Sequence, residues 1–150
     1  MGLLGGPKAF AAKLDQLFTE SPEIKGENAS MDISGLIGQY AHGNEPSHHT
    51  AYLYNFAGRP DRTQERVRAI VSTLYTSKNS GLCGNDDCGQ MSAWYVWNAL
   101  GLYPMNPVSA RYELGSPSFD RVTVKLGNGK TLTVVAGPDE IGRASCRERV

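Results

Sequence analysis

The sequence lacks an excess of either charge, and it lacks any long apolar run. Its 15 basic residues balance 15 acidic ones, so no net field draws it to nucleic acid or to an anionic membrane. No apolar stretch approaches the roughly 18 residues that a membrane span needs. The opening MGLLGGPKAF does not predict a secretory signal, because its apolar stretch is short and no basic cluster precedes it. What remains is an ordinary globular chain of 150 residues, enough for about one domain.

Cysteine is scarce, which excludes a disulfide framework. Of the three cysteines, Cys83 and Cys88 flank a short loop and could bridge in an oxidising compartment, but two free thiols are the favoured prediction. Cys146 lies in a charged segment, Glu140 to Val150, that resembles an in-frame translation of a common sequencing adapter. We therefore predict that residues 140–150 are not native sequence, and we leave them out of the fold.

Helical patterns dominate the first two thirds of the chain. Apolar residues recur at helical spacing in several stretches, which begin near proline or end at glycine. The predicted helices cover residues 7–19, 47–57, 60–76 and 88–101. Ser47 is the predicted N-cap of the second helix, and Gly58 and Gly101 are predicted to end the second and fourth.

Strand patterns replace helical ones after Tyr103. Pro104 and Pro107 oppose a helix, and three strands are predicted within residues 111–115, 120–127 and 130–136. The Gly-Asn-Gly triplet at residues 127–129 predicts a hairpin turn between the last two strands. The predicted fold class is mainly α with a C-terminal β part, a small antiparallel sheet.

All three histidines of the chain lie in one octapeptide, HGNEPSHH, at residues 42–49. A second polar loop, GLCGNDDCGQ, covers residues 81–90. Each loop ends where a helix is predicted to begin, and the unpaired N–H groups of a helix N-terminus favour anions and oxygen-rich ligands. If the two helices point the same way, the loops share one rim. The predicted pocket then holds Asn44, Glu45, Asn85, Asp86, Asp87 and the histidines His42, His48 and His49.

Three interpretations compete for this set of residues. A zinc site, formed by the three histidines with a carboxylate or Cys83, is the weakest, because His48 and His49 are adjacent and would point about 100° apart on a helix. In the second interpretation, Asn85 and Asp86 only form caps and turns, and the histidines are partly buried donors. The third is a glycosidase site, in which one carboxylate activates water and others bind sugar hydroxyls or calcium. Residue types and spacing leave the second and third interpretations open.

Two long segments resemble glycoside hydrolase family 92. They are GQYAHGNEPSHHTAYLYNFAGRP at residues 38–60 and GLCGNDDCGQMSAWYVWNALGLYP at residues 81–104. The later segment YELGSPSFDRVTVKLGNGKTLTVVA is similar to the closing strands of the family, so the likeness covers nearly everything from Leu3 to Ala136. Members of this family are calcium-dependent, inverting, exo-acting α-mannosidases.

The resemblance implies an architecture larger than this chain. Family members have an N-terminal β-sandwich and a catalytic domain built on an (α/α)6 toroid. Residues 1–103 would be the end of that toroid, and residues 104–139 would be its β appendage. The sandwich and the rest of the toroid would then lie outside the chain, in a parent protein that is periplasmic or secreted. The expected partners are mannose-containing glycans, with no nucleic acid and no membrane.

The resemblance also implies roles for individual residues. Asp87 stands at the position of the candidate general base. Asn85 is an aspartate in some members, and as an amide it can orient water but cannot hold negative charge. The general acid is expected on a glutamate upstream of GGPKAF, so the chain alone is expected to be inactive. Calcium is the implied cofactor, with Asn44, Glu45 and Gln90 as its implied ligands. The residues implied to contact the sugar are His42, Glu45, His48, His49 and Asp86.

A different class of function is also consistent with the sequence. A non-catalytic, calcium-dependent carbohydrate-binding module would use the same oxygen-rich loops without turnover. It would keep calcium-dependent mannose affinity but show no hydrolysis even with the missing N-terminal part restored. A helical scaffold with simple capping loops would bind neither calcium nor mannose.

Overall fold

The computed structural model describes residues 2–24 and 33–136, together with the backbone of Ala144–Arg149. The described part is mainly helical with small antiparallel sheets, which agrees with the predicted fold class. No helix in this part is long and apolar enough to cross a bilayer.

Three α-helices form the larger part of the fold: α1 is Pro7–Thr19, α2 is Pro60–Leu74 and α3 is Gln90–Leu100. Proline occupies the first turn of α1 and α2, where its missing N–H would have had no partner within the helix. Gly101 ends α3 with φ 84°, a left-handed conformation that glycine adopts without a Cβ penalty. These three helices confirm the predicted ones to within about two residues at each end.

The predicted helix at residues 47–57 has a different form. The structure places a short 3₁₀ turn at Glu45–Ser47 and a longer 3₁₀ helix at Thr50–Ala57, which ends at Gly58 as predicted. Ser47 is not its N-cap, because the helix follows His49 without any side-chain cap hydrogen bond. The reason is local: successive i to i+3 bonds from Ser47 to Asn44 and from His48 to Glu45 tighten the chain before an α-helix can start.

The core lies where α1, α2 and the Thr50–Ala57 helix pack together, and α3 adds Trp94 to it. Tyr52 and Tyr54 are fully buried in it, yet both hydroxyls have partners. The Tyr52 hydroxyl donates to Oδ1 of Asn98, and the Tyr54 hydroxyl donates to Oδ1 of Asp15 at 2.9 Å. Pairing of this kind removes the cost of burying a hydroxyl away from water.

Short antiparallel strands complete the fold. The ribbon of β1 (Leu36–Ile37) and β2 (Tyr40–Ala41) was not predicted, and neither was β3 (Leu102–Tyr103). Its partner β4 (Glu113–Leu114) lies inside the strand predicted at residues 111–115. The three-stranded sheet orders β5 (Arg121–Lys125), β6 (Thr131–Ala136) and β7 (Ala144–Arg149). The hairpin turn between β5 and β6 is confirmed by the Leu126 N–H bond to the Lys130 carbonyl at 2.8 Å.

The predicted non-native tail, residues 140–150, lies outside the described residues except for the backbone of β7. That backbone pairs antiparallel with β6 from Ala144 to Arg149. The origin of the tail therefore stays a prediction.

Candidate active site

Two loops meet in one pocket of about 480 Å³. Asn44 and Glu45 come from the first polar loop, and Asn85 and Asp87 come from the second. The rest of the lining is small: Ser34, Gly43, Cys83 and Gly84. The structure thus brings together four of the residues that the sequence singled out, two carboxylates and two amides.

Glycine allows the two loops to touch through their backbones. A Cβ on Gly84 would lie 2.7 Å from the carbonyl oxygen of Gly43, closer than real Cβ atoms approach. A Cβ on Gly43 would in turn clash with the Ser34 hydroxyl and lie 3.1 Å from the Cys83 carbonyl oxygen. Because neither glycine has a side chain, the loops close against each other and form one wall of the pocket.

The β1–β2 ribbon positions the first polar loop at the pocket. Past the end of β2, the N–H of His42 donates to the Gly35 carbonyl at 3.1 Å and that of Gly43 donates to the Ser34 carbonyl at 3.0 Å. These bonds extend the ladder and set Ser34 beside Gly43. The chain then turns at Asn44, so Asn44 and Glu45 emerge at the mouth of the pocket.

The second loop is attached to the N-terminus of α3 by Asp86. One carboxylate oxygen, Oδ1, accepts hydrogen bonds from the Ser92 N–H at 2.9 Å and from the Ser92 hydroxyl at 2.8 Å. Asp86 does not line the pocket, in contrast to its predicted contact with sugar, because the first turn of α3 holds its carboxylate. Although the N-cap position of α3 is Gly89, the Asp86 carboxylate satisfies the N–H of Ser92 in the first turn of α3, as a capping side chain does.

The residue after this cap has an unusual backbone. Asp87 has φ 48° and the following Cys88 has φ 57°, both in the left-handed region that residues with a Cβ seldom adopt. The turn reverses the chain between the Asp86 cap and the start of α3, so Asp86 and Asp87 take different directions. Asp87 faces the pocket as a result. Strained backbone of this kind is often found where a side chain must be aimed.

His42 lies behind the pocket and is completely buried. The Tyr75 hydroxyl donates to the Met91 carbonyl at 3.2 Å, so it accepts from Nε2–H of His42 at 2.6 Å. Nδ1 of His42 is then left to accept from the Tyr40 hydroxyl at 2.8 Å. Burial and two tyrosines thus occupy both ring nitrogens of His42, and the structure leaves neither nitrogen open for the predicted contact with sugar hydroxyls. Burial, and then repulsion from His48, lowers the pKa of His42 to about 3.

His48 is also buried, with 2% of its surface exposed to solvent. Its Nε2 lies 3.1 Å from the His42 carbonyl oxygen, and its Nδ1 lies 3.3 Å from the amide nitrogen of Gln90. Both ring nitrogens of His48 therefore have protein partners, and neither is left open for the predicted sugar contact. Burial lowers the pKa of His48, opposed by the bond to His42 and by the negative charges of Glu45 and Asp87. Both carboxylates thus act on the same imidazole.

The other predicted site residues lie elsewhere. His49 is exposed and is not part of the pocket lining. Gln90, the predicted third metal ligand, also lies outside the lining, because its amide nitrogen contacts His48. Gln90 is therefore not brought together with Asn44 and Glu45.

The donor set of the pocket suits a hard cation better than zinc. Within the part of the chain that the structure describes, no three His, Cys, Asp or Glu side chains are grouped to hold a metal ion, and two of the histidines have no free nitrogen. Calcium takes six to eight oxygens, including amide and backbone carbonyls and water. Glu45, Asp87, Asn44 and Asn85 present carboxylate and amide oxygens of this type. The chemistry of the residues present therefore fits calcium.

Sequence reasoning missed half of the pocket lining: Ser34, Gly43 and Gly84 entirely, and Cys83 except as a possible zinc ligand. One signal was available, because both loops carry a Gly-Asn-acid triplet, at residues 43–45 and 84–86. Cys83 and Cys88 are both free thiols, as predicted, and burial raises the pKa of Cys83. No sequence pattern predicted Ser34 as a pocket residue, because it reaches the pocket only through the pairing of β1 with β2.

Comparison with known proteins identifies the family. Residues 1–146 match the family described as Glycosyl hydrolase family 92 catalytic domain. A protein of Arthroderma benhamiae described as "Uncharacterized secreted glycosidase" is 34% identical over 135 residues, covering 89% of this chain and 15% of that protein.

Two solved structures are similar over almost the whole chain. A family GH92 α-mannosidase of Bacteroides thetaiotaomicron in complex with mannoimidazole has 44% identity and a TM-score of 0.80, covering 91% of this chain and 18% of that one. A GH92 inverting mannosidase of Bacteroides thetaiotaomicron VPI-5482 has 39% identity and a TM-score of 0.74, covering 93% of this chain and 20% of that one. This chain thus spans a fifth or less of the length of these relatives, and it belongs to glycosyl hydrolase family 92.

Proposed function

We propose that this chain supplies one side of the active site of an inverting, exo-acting α-mannosidase that removes non-reducing terminal α-mannose from glycans. The observation that carries the proposal is the meeting of Glu45 and Asp87 in one oxygen-lined pocket from two separate loops. Family membership limits the reaction to glycoside hydrolysis. The mannoimidazole complex of one similar protein and the inverting mechanism named for another support the choice of substrate and stereochemistry.

Asp87 is the proposed general base. Its carboxylate takes a proton from water while that water attacks the anomeric carbon from the face opposite the leaving group. Asn85 lines the same pocket and orients the water, although as an amide it cannot share the negative charge. An inverting hydrolase keeps its two carboxyl groups roughly 6.5–9.5 Å apart to leave room for this water. We assign the general acid to a glutamate outside these 150 residues.

Calcium is the proposed cofactor, with Asn44 and Glu45 as its ligands from this chain. Backbone carbonyls, water and sugar hydroxyls complete the coordination of such an ion. When bound, the ion supplies positive charge that holds neighbouring sugar hydroxyls in place. Glu45 also accepts hydrogen bonds from the sugar, and the exposed His49 is a proposed contact to the rest of the glycan.

The surrounding architecture is part of the proposal. We place the three α-helices and the Thr50–Ala57 helix at the end of an (α/α)6 toroid and the later strands in its β appendage, with a β-sandwich in the parent protein. TM-scores of 0.80 and 0.74 to two family members support this placement. The description of one relative as secreted supports a parent that is secreted or periplasmic.

The test is mannose release by the full-length protein that contains this chain. We expect a p-nitrophenyl α-mannoside to be hydrolysed, hydrolysis to stop with EGTA and to return with excess calcium, and the purified 150-residue chain to be silent. Mannose affinity that depends on calcium, without turnover in the full-length protein, would instead indicate a carbohydrate-binding module. Release by the isolated chain would contradict the placement of the acid outside it.

A further inference from the structure

We propose that His48 is a positioning residue that locks the Glu45 loop and the Asp87 loop into one arrangement. The inference rests on the proposed function for its consequence, but its geometry is independent of that function. His48 is not part of the pocket lining, and both of its ring nitrogens contact protein groups. Its ring makes two hydrogen bonds, to the His42 carbonyl and from the Gln90 amide, and its backbone carbonyl accepts a third from the Trp94 indole; we call these three the His48 junction, of which His48→Ala removes the two ring bonds.

The first bond of the His48 junction closes the Glu45 loop on itself. Nε2 of His48 lies 3.1 Å from the carbonyl oxygen of His42, the residue at the other end of that loop. Since a carbonyl oxygen can only accept, Nε2 must carry the proton. The loop between these two residues, which contains Asn44 and Glu45, is thereby fixed at both ends.

The other two bonds of the His48 junction attach this loop to α3. Because Nε2 carries the proton, Nδ1 of the neutral ring accepts from the Gln90 amide at 3.3 Å. The indole N–H of Trp94 donates to the His48 carbonyl at 3.1 Å, one helical turn further along. Trp94 is 1% exposed, so this second bond is shielded from water.

The Asp87 loop is attached to the same helix. The Asp86 carboxylate accepts twice from Ser92, and the Gln90 N–H donates to the Asp87 carbonyl at 3.2 Å. Gln90 therefore bonds to both loops, through its side chain to His48 and through its backbone to Asp87. The separation of the Glu45 and Asp87 carboxylates is set through α3, with His48 as the connection on the Glu45 side.

Amide hydrogen exchange on the chain tests this directly, without relying on sugar or metal. In His48→Ala we expect the amides of residues 43–47 and 84–88 both to exchange about fivefold or more faster, the factor for loss of roughly one hydrogen bond. His48→Asn keeps an acceptor near the Nδ1 position, so the second loop should stay closer to wild type. Tyr52→Phe is the matched control, since it removes a buried hydrogen bond to Asn98 that joins neither loop.

Nitrogen NMR of the histidine rings in the unaltered chain shows which ring nitrogen of His48 carries the proton, and it tests the inference even if a variant fails to fold. A proton on Nε2 of His48 is expected, and a proton on Nδ1 would overturn the inference. Unchanged exchange in residues 84–88 of a folded His48→Ala variant would also overturn it, as would an equal effect of Tyr52→Phe.

Calcium affinity measured by calorimetry then separates this inference from the proposed function. If the unaltered chain binds calcium, His48→Ala should weaken binding about tenfold, because the loop that carries Asn44 and Glu45 loses roughly one hydrogen bond that holds it. Equal affinity of that variant and the unaltered chain would count against the inference. If the unaltered chain binds no calcium while the exchange result holds, the calcium site fails and the positioning role stands.

Discussion

Glu45 and Asp87 line the same pocket although a complete 3₁₀ helix and the whole of α2 lie between them in the chain. Each comes from a loop that is attached to α3, one through His48 and the other through Asp86. Paired carboxylates in one concave site are what acid–base and sugar chemistry requires. The predictions below follow from this relationship and from the contacts that hold it.

The first prediction concerns the proposed base. Asp87→Asn in the full-length protein should lower kcat by about 10²–10⁴-fold, the usual contribution of a positioned general base, with a much smaller change in KM. Steady-state hydrolysis of an aryl α-mannoside measures both constants. A loss confined to KM would assign Asp87 to substrate binding instead.

The neighbouring carboxylate should behave differently. Because Asp86 bonds the Ser92 N–H at the start of α3, Asp86→Ala should cost about 1 kcal/mol in the free energy of unfolding. Denaturant unfolding of the chain measures this cost. The matched control is Asp120→Ala, because Asp120 is an exposed aspartate that does not lie at the start of a helix. This substitution should change the free energy of unfolding by less than about 0.5 kcal/mol. Equal effects of the two substitutions would contradict the cap.

The glycine contact between the loops gives a third prediction. Gly84→Ala places a methyl group 2.7 Å from the Gly43 carbonyl oxygen, so the loops must separate. We expect a loss of about 1–3 kcal/mol in the free energy of unfolding, as for other overpacked sites. Gly127→Ala is the control, because nothing lies within 4 Å of the added carbon and its φ is not positive. A Gly84 variant as stable as this control would show that the loops do not touch.

A fourth prediction concerns acid. The pKa of His42 is about 3 in the folded chain, against 6.5 for the free side chain, so between these values the unfolded state binds the extra proton. The contribution of His42 to stability should therefore be constant above about pH 7 and fall on acidification, by about 1.4 kcal/mol per pH unit once below pH 6.

Denaturant unfolding between pH 4 and 8 measures that slope. His42→Gln should flatten it by about the contribution of one histidine, although it also lowers the overall stability because the Tyr40 and Tyr75 hydroxyls lose their partner. An unchanged slope in this variant would contradict the assignment of the acid sensitivity to His42.

Local signals in the sequence predicted most of the fold. Pro7 and Pro60 start helices, Gly58 and Gly101 end them, and the glycines around Asn128 turn a hairpin, because each effect depends on the backbone of one or two residues. The β1–β2 ribbon was missed because its strands have two residues each, too few to show a pattern.

The site was predicted only in part, because its details depend on distant contacts. Asp86 and Asp87 are adjacent carboxylates, and only the direction of α3 decides which one becomes a cap and which one faces the pocket. His42 and His48 were predicted to contact the sugar, from the family resemblance and from their place in a polar octapeptide. Their burial depends on Tyr40, Tyr75 and Trp94, which close around them from other elements of the fold.

The central claim is that Asp87 directs water at the anomeric carbon of an α-mannoside bound between the two loops. Proton NMR of the first product released by the full-length protein tests this most directly, because it shows the anomer before mutarotation. The account predicts β-mannose from the unaltered protein and almost none from Asp87→Asn over the same time. Release of α-mannose first, or undiminished β-mannose from Asp87→Asn, would contradict it.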